Sequence, residues 1–349
     1  MYRILALIVW LAASAAGQWQ PQESNTKESL RGISVVDESI AWASGTHGTY
    51  LLTVDGGQTW KPGQVPGAEG LDFRDVHGFG FSAFLLAAGP GERSRIYKTN
   101  DRGNHWELQF TNHDPKGFFD CMAFWDEKHG IAVGDPVDGR FQIITTEDGG
   151  KTWKYVDRRR IPEAIEGEGA FAASGTCIAT EGQKNAWFVT GGAAARVFRS
   201  SNRGRSWKVS ETPIQHGIPS AGIFSVAFRD ARHGVIAGGD YSRSDAGGAN
   251  LATTDDGGKT WKPAKVAEQE YFSGIAYVTE GGGLAAVGSS GSAFSEDGLK
   301  SWKSFLPEGF NAVAGAPLSG VAWAAGANGK IAKAVLGYCG AHCESRKER

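Results

Sequence analysis

Charged side chains crowd the middle of the chain, and their types suit acid/base work, cation binding or carboxylate binding. Glu166 and Glu168 lie two apart in Glu166-Gly167-Glu168-Gly169, with Asp135 upstream. Paired carboxyls can divide general-acid and general-base roles, or hold a cation through oxygen ligands. Arg158-Arg159-Arg160 offers an anion patch, while Arg140, Arg159 and Arg196 can equally pair with the acids. Asp138, His216, Asp240, Tyr241 and Arg243 complete the polar set. A basic triplet in a loop is more often simply exposed, so a solvated rim of mutually neutralising charges is the competing reading.

The elements that position these residues come from a repeat. The form Ser/Thr-x-Asp-x-Gly-x-x-Trp occurs six times, as in Thr146-Glu147-Asp148-Gly149-Gly150-Lys151-Thr152-Trp153. Its Asp or Asn positions are Asp55, Asp101, Asp148, Asn202, Asp256 and Asp297. Its tryptophans, Trp60, Trp106, Trp153, Trp207, Trp261 and Trp302, follow one another at 46, 47, 54, 54 and 41 residues. That period is the length of one four-stranded propeller blade. The box chemistry is structural: the carboxylate accepts backbone N–H bonds in a tight turn, glycine takes positive φ, and the ring packs on the blade. Burying such a ring yields about 4–6 kcal/mol gross. Ordering eight residues costs about 8–16 kcal/mol in backbone entropy, so each box needs neighbouring blades.

Alternating apolar runs with glycine-rich turns precede each box and predict antiparallel strands. Counting them gives seven units, beginning near Leu30, Leu71, Phe118, Phe171, Ile223, Phe272 and Phe310. The fold expected is all-β, a seven-bladed β-propeller of four-stranded antiparallel blades. The seventh unit stops without a box, while Trp19-Gln20-Pro21 matches Trp60-Lys61-Pro62 and Trp261-Lys262-Pro263 after complete boxes. The N-terminal segment is therefore expected to supply the outer strand of the seventh blade and close the ring. In such a disc the boxes join third to fourth strands on one face. The polar loops of blades 3 to 5 then emerge on the opposite face, the usual place for recognition.

Met1-Tyr2-Arg3, the apolar run Ile4 to Ala13 and the small residues to Gly17 read as a secretory signal too short to span a bilayer. The expected partition is a signal peptide over 1–17, a propeller over 18–338 and a Cys-containing tail over 339–349, in a periplasmic or secreted protein. No membrane insertion is expected once the leader is removed. The formal net charge of −2 becomes −3 without Arg3, which argues against nucleic acid as partner. Of the three pairings open to four cysteines, 339–343 with 121–177 is preferred. Cys339-Gly340-Ala341-His342-Cys343 has too few ligands for a metal, and no metal or cofactor is expected.

The box resembles the Asp-box (BNR) repeat of sialidases, certain endoglucanases and sortilin-type receptors. Seven blades behind a leader look most like the photosystem II stability/assembly factor family and its relatives in non-photosynthetic bacteria, from about Trp19 to Gly337. That resemblance implies a propeller for protein binding or assembly; family members in phototrophs chaperone a membrane-protein subunit, and a monomer is expected here. The rival class is an enzyme of the same face, a glycoside-processing hydrolase with a glycan as partner, or an oxidoreductase. Arg160-Ile161-Pro162 looks like the sialidase Arg-Ile-Pro motif, but it follows the third box instead of preceding all of them. No three-Arg clamp with a Tyr–Glu pair is recognisable. No dinucleotide, haem or flavin motif is present either. The expected surface is the loop face of blades 3 to 5, with no catalytic residue assigned.

Overall fold

Residues 18–336, apart from 246, 265–269, 306–308 and 317–318, are described in a computed structural model. The expected leader over 1–17, and Cys339 and Cys343 of the tail, lie outside the described residues. Seven antiparallel four-stranded blades surround a central channel. Their innermost strands are Leu30–Val35, Phe73–Phe79, Phe119–Phe124, Ile178–Glu181, Ala221–Phe228, Gly274–Tyr277 and Ala312–Ala316. The seventh blade takes its outer strand, Gln20–Gln22, from the start of the described chain, paired antiparallel with Ile331–Val335. Among the described residues no helix is long and apolar enough to cross a membrane.

Each box connects the third strand of its blade to the fourth, as Thr53–Trp60 connects Thr49–Thr53 to Lys61–Gln64. Thr53 Oγ1 accepts from the Gly57 amide at 2.9 Å. Asp55 accepts from the Thr59 amide at 2.9 Å and from the Thr59 hydroxyl at 2.6 Å. Asp148, Asp256 and Asp297 repeat this on Thr152, Thr260 and Ser301. Asp101 repeats it on His105, while Asn202 accepts from the Ser206 amide through Oδ1 and donates from Nδ2 to the Ser206 hydroxyl. The second glycine position needs positive φ, and Gly57 has 84°. Leu299 stands at that position in the sixth box with φ 69°, its amide held by Ser295 Oγ at 2.8 Å. A left-handed leucine costs about 1–2 kcal/mol. Trp60, Trp207 and Trp261 are buried, and Trp106, Trp153 and Trp302 are half-buried.

The blades are joined near the channel by hydrogen bonds or a disulfide at each of the seven joints. Ser34 Oγ accepts from the Gly78 amide, and Asp75 Oδ2 accepts from the Met122 amide at 2.7 Å. Cys121 and Cys177 form a disulfide with Cα atoms 6.0 Å apart, joining blades 3 and 4. Closing a loop of 56 residues removes about 4 kcal/mol of unfolded-state entropy on the chain-entropy account. The Val226 amide donates to Thr176 O, and the Ile275 amide to Ser225 Oγ. Ser273 Oγ donates to Asn311 O at 2.8 Å, and Asn311 Nδ2 to Leu30 O at 2.8 Å, which closes the ring.

Six of the seven expected unit starts fall within two residues of the observed inner strands, and the fourth does not. Its inner strand starts at Ile178 instead of Phe171, so Cys177 immediately precedes that strand. The intervening segment crosses the channel mouth, where Phe171 stacks on Phe224 of blade 5 at 4.0 Å and 6°. Glu168–Gly169 pairs with Gly191–Gly192, and Gly191 pairs with Gly222 of the fifth inner strand. A Cβ on Gly222 would sit 2.2 Å from Gly191 Cα, so this approach of two backbones requires glycine.

Candidate functional site

The sequence-derived set lies on the face opposite the boxes in blades 3 to 5, partly in the connections and partly at strand ends: Asp135, Arg140, Glu168, Arg196 and Asp240 are strand residues. The structure assigns most of their charges to one another. Glu168 and Arg196 form a buried bidentate pair: Arg196 Nε donates to Oε1 at 2.9 Å and Nη2 to Oε2 at 2.5 Å. Their side chains are 0% and 8% exposed. Glu168 also accepts from Thr190 Oγ1 at 2.6 Å and from the Ile165 amide at 2.9 Å, while Arg196 Nη2 reaches Glu163 O. Every oxygen of this carboxylate is engaged, which makes it a strap for the 163–168 segment.

The remaining candidates divide into local pairs. Arg140 donates to Ile161 O and pairs with Glu163 at 2.7 Å. Asp157 takes Arg159 at 2.8 Å and caps the short 3-10 turn Arg158–Arg160, whose Arg158 donates to Val137 O. Asp138, at φ 48° in its turn, lies 3.4 Å from Lys116 and 3.9 Å from Arg158. Arg160 is exposed, and its carbonyl accepts from the Trp207 amide at 3.0 Å. His216 Nδ1 donates to Ile214 O at 2.8 Å. Asp240 accepts from Ser242 and from Arg243 Nε at 2.9 Å, and the Ser242 hydroxyl holds its carboxyl well below the usual range. Glu166 is exposed and stands apart from the Glu168–Arg196 pair. Neither the groove lined by Phe110, Phe141 and Tyr155 nor that lined by Arg229, His233 and Tyr277 includes Glu166, Glu168, Asp135 or Arg196.

Three of the larger exposed apolar side chains on the protein belong to these loops: Ile165, Ile218 and Tyr241, at 46%, 42% and 53% exposure. The face therefore presents isolated apolar contacts among neutralised charges. A groove of 430 Å³ lies at the outer rim between blades 2 and 3, lined by Phe110, Phe141, Ile143 and Tyr155, with His113, Asp114 and Arg158 at its edge.

A second constellation lies where the inner strands begin, and it escapes the sequence reading. In blades 1, 2, 3 and 5 the pairing of first with second strand shifts after Leu30, Phe73, Phe119 and Ile223. Each β-bulge inserts one extra residue at the same point of the channel mouth: Arg31, Arg74, Asp120 and Phe224. The signal available in sequence is a side chain that breaks the apolar alternation just inside each first strand. Arg74 Nε donates to Asp72 at 2.7 Å and Nη1 to Ala172 O at 3.0 Å. Asp135 Oδ1 accepts from the Ala170 amide at 3.0 Å. Phe224 meets Tyr271 edge-on at 4.9 Å, and Tyr241 stands edge-on to both Phe171 and Phe224.

The two families of carboxylates titrate in opposite senses. Side-chain and then backbone hydrogen bonds from Thr59, Thr152 and Ser301 lower Asp55, Asp148 and Asp297 from 3.8 to about 2. Burial raises Asp135 from 3.8 to about 6, and burial, then the nearby Asp135, pushes Asp120 well up. The lowered box acids contribute stability that is present above 3.8 and lost as pH falls through about 2. The raised Asp135 contributes stability that is present below 3.8 and lost as pH rises through about 6. The melting temperature is expected to climb as pH rises from about 2 to about 4, then to decline toward about 6. In Asp135→Asn the second limb should become shallower, with the buried Asp120 and Asp75 still contributing to it, while the first persists. Melting curves across this range check both limbs.

No family model matches the chain. It is 28% identical over 249 residues to the photosystem II assembly lipoprotein Ycf48 of Synechococcus sp. (strain CC9902), covering 70% of this chain and 65% of that protein. To the chloroplastic photosystem II stability/assembly factor HCF136 of Oryza sativa subsp. japonica it is 25% identical over 280 residues, covering 75% and 53%. The aligned part is thus about two thirds of the first relative's length and half of the second's. Among solved structures, YCF48 bound to a D1 peptide shares the fold, with TM-score 0.66 and 17% identity over 94% of this chain and 99% of that one. The structure of U3-55K has TM-score 0.64 and 12% identity over 93% and 100%. Over some seven tenths of its length, then, this chain is similar in sequence to photosystem II stability/assembly factors, and it folds as a closed seven-bladed ring.

Proposed function

We propose that the chain is an exported scaffold that binds a protein segment through the loop face of blades 3 to 5, in the manner of an assembly factor. The observation that carries this reading is the composition of that face. Most of its arginines are engaged with its acids, as in Glu168–Arg196 and Glu163–Arg140, while Ile165, Ile218 and Tyr241 stand exposed between them. Scattered apolar anchors in a neutralised polar rim suit a protein partner better than a glycosidic bond, which needs two free carboxyls at a defined separation. The similarity to a photosystem II assembly lipoprotein supports the same reading, as does the peptide held by the solved YCF48 structure. The proposal extends to the partition into a leader over 1–17, a propeller over 18–338 and a tail over 339–349, and to a periplasmic or secreted location.

Site-specific photocrosslinking in the native host tests the docking face. A crosslinker at Ile165, Ile218 or Tyr241 is expected to capture the same discrete partner. The same group at Val54 or Phe81, exposed on the box face, is expected to capture none. Equal capture from both faces, or capture from the box face alone, overturns the assignment.

A further inference from the structure

We infer that the channel mouth on the loop face binds an organic cation, a lysine or arginine side chain presented by the docking partner, held between Asp120 and Asp135 on one side and the aromatic cluster of Phe171, Phe224 and Tyr241 on the other. The inference rests on the docking reading above and names the chemistry of the group that enters.

Unmatched hydrogen-bonding atoms give the first reason. Asp120 is 2% exposed, and its Oδ2 has no hydrogen-bond partner. Asp72 Oδ1 and Arg31 Nε, at the same mouth, are also buried without one. Buried polar atoms are nearly always paired, so three orphans gathered at one opening mark a place for an absent group. Two of the three are acceptors on acids, which favours a ligand rich in donors.

The charge inventory points the same way. Arg74 is engaged by Asp72 and by Ala172 O. Arg31 has Arg74, Asp72 and Tyr271 as its electrostatic neighbours. Asp120 and Asp135 thus face one another with Arg74 as the nearby cation, already shared with Asp72. Met122 and the blade 2–3 joint occupy the more deeply placed Asp75. A further positive charge entering the mouth would relieve the repulsion between Asp120 and Asp135.

The opposite wall selects the kind of cation. Phe171 and Phe224 are stacked, Tyr271 closes the far edge, and Tyr241 leaves an exposed rim. Aromatic faces attract guanidinium and ammonium groups, and carboxylates supply their hydrogen bonds. Among the described residues no group of three or more His, Cys, Asp or Glu side chains is arranged to hold a metal ion. One short segment ties both walls together. Ala170 N lies on Asp135, Phe171 on Phe224, and Ala172 O on Arg74.

The test uses the full chain at pH 8, titrated by calorimetry with n-butylguanidinium and n-butylammonium, and with butyrate as the opposite charge. Saturable binding of the cations is expected, with butyrate giving none. Asp135→Asn is expected to weaken the cations on the order of tenfold, the loss of one charge-assisted contact. Phe171→Leu and Asp120→Asn are expected to weaken them as well. If Asp120→Asn fails to fold, the half-buried Asp135 and Phe171 carry the test. No saturation by either cation, preferential binding of butyrate, or indifference to Asp135→Asn overturns the inference. Crosslinks from Ile165 or Tyr241 that persist while cation binding fails remove this inference alone. Cation binding without those crosslinks removes the docking reading alone.

Discussion

Deleting residues 18–24 lowers the melting temperature by about 10 °C or more, by scaling roughly 2–4 °C per kcal/mol over several kcal/mol. The segment is short, yet it fills the one gap in the ring. Trp19 packs against Phe294 and Phe310 with centroids at 5.1 and 5.3 Å, and its indole N–H donates to Ser292 Oγ at 2.8 Å. Burial of such a ring is worth about 4–6 kcal/mol gross. Gln22 Oε1 accepts from both Trp60 Nε1 at 2.9 Å and Trp323 Nε1 at 3.0 Å, so it bridges blades 1 and 7. Without it two buried indole donors lose their acceptor, at about 1–3 kcal/mol each. Ile331–Val335 also becomes an open edge strand and a template for association. Trp19→Ala and Gln22→Ala should each reproduce part of the loss. A truncated chain that melts with the full one would show that the ring is held shut by other contacts.

The blades were legible because one local pattern recurs. Each box satisfies itself within eight residues, so its hydrogen bonds follow from its own sequence, as the Asp55–Thr59 set shows. Closure was legible from an absence: a seventh unit without a box, and a tryptophan at the other end in the sequence context that follows a box. The Cys121–Cys177 link was legible as a pairing of neighbouring blades. What escaped depends on contacts across the ring. Ala170–Ala173 has the apolar character of an inner strand, but Phe171 finds its partner in Phe224 of the next blade, and the strand is displaced to Ile178. Arg31, Arg74 and Asp120 belong to three different blades and meet only because equivalent bulges point at one mouth. Sequence also left open which arginine each acid would choose. The fold decides it: Glu168 takes Arg196, Glu163 takes Arg140, and Arg159 takes its own neighbour Asp157.

That choice sets the second large effect. Arg196→Met is expected to destabilise the fold by about 3–5 kcal/mol, because it leaves the Glu168 carboxylate buried without its counter-charge. Thr190 and the Ile165 amide still donate to that carboxylate, and neither carries a positive charge. Glu168→Leu alone should cost a similar amount by stranding the guanidinium, whose remaining acceptor in the strap is Glu163 O. The double variant Glu168→Leu/Arg196→Met removes both charges together and is expected to cost much less than the sum, since an apolar pair of similar volume often replaces a buried ion pair at little loss. Urea unfolding of the three variants measures the difference. Near-additive losses would mean that the two side chains act independently, and the pair would then return to consideration as separate functional groups. Strong coupling identifies the pair as the clasp that holds 163–168 against blade 4. A carboxylate fixed in that way positions the exposed Ile165 beside it and is withheld from acid/base work, which ties the stability of the clasp directly to the shape of the docking face.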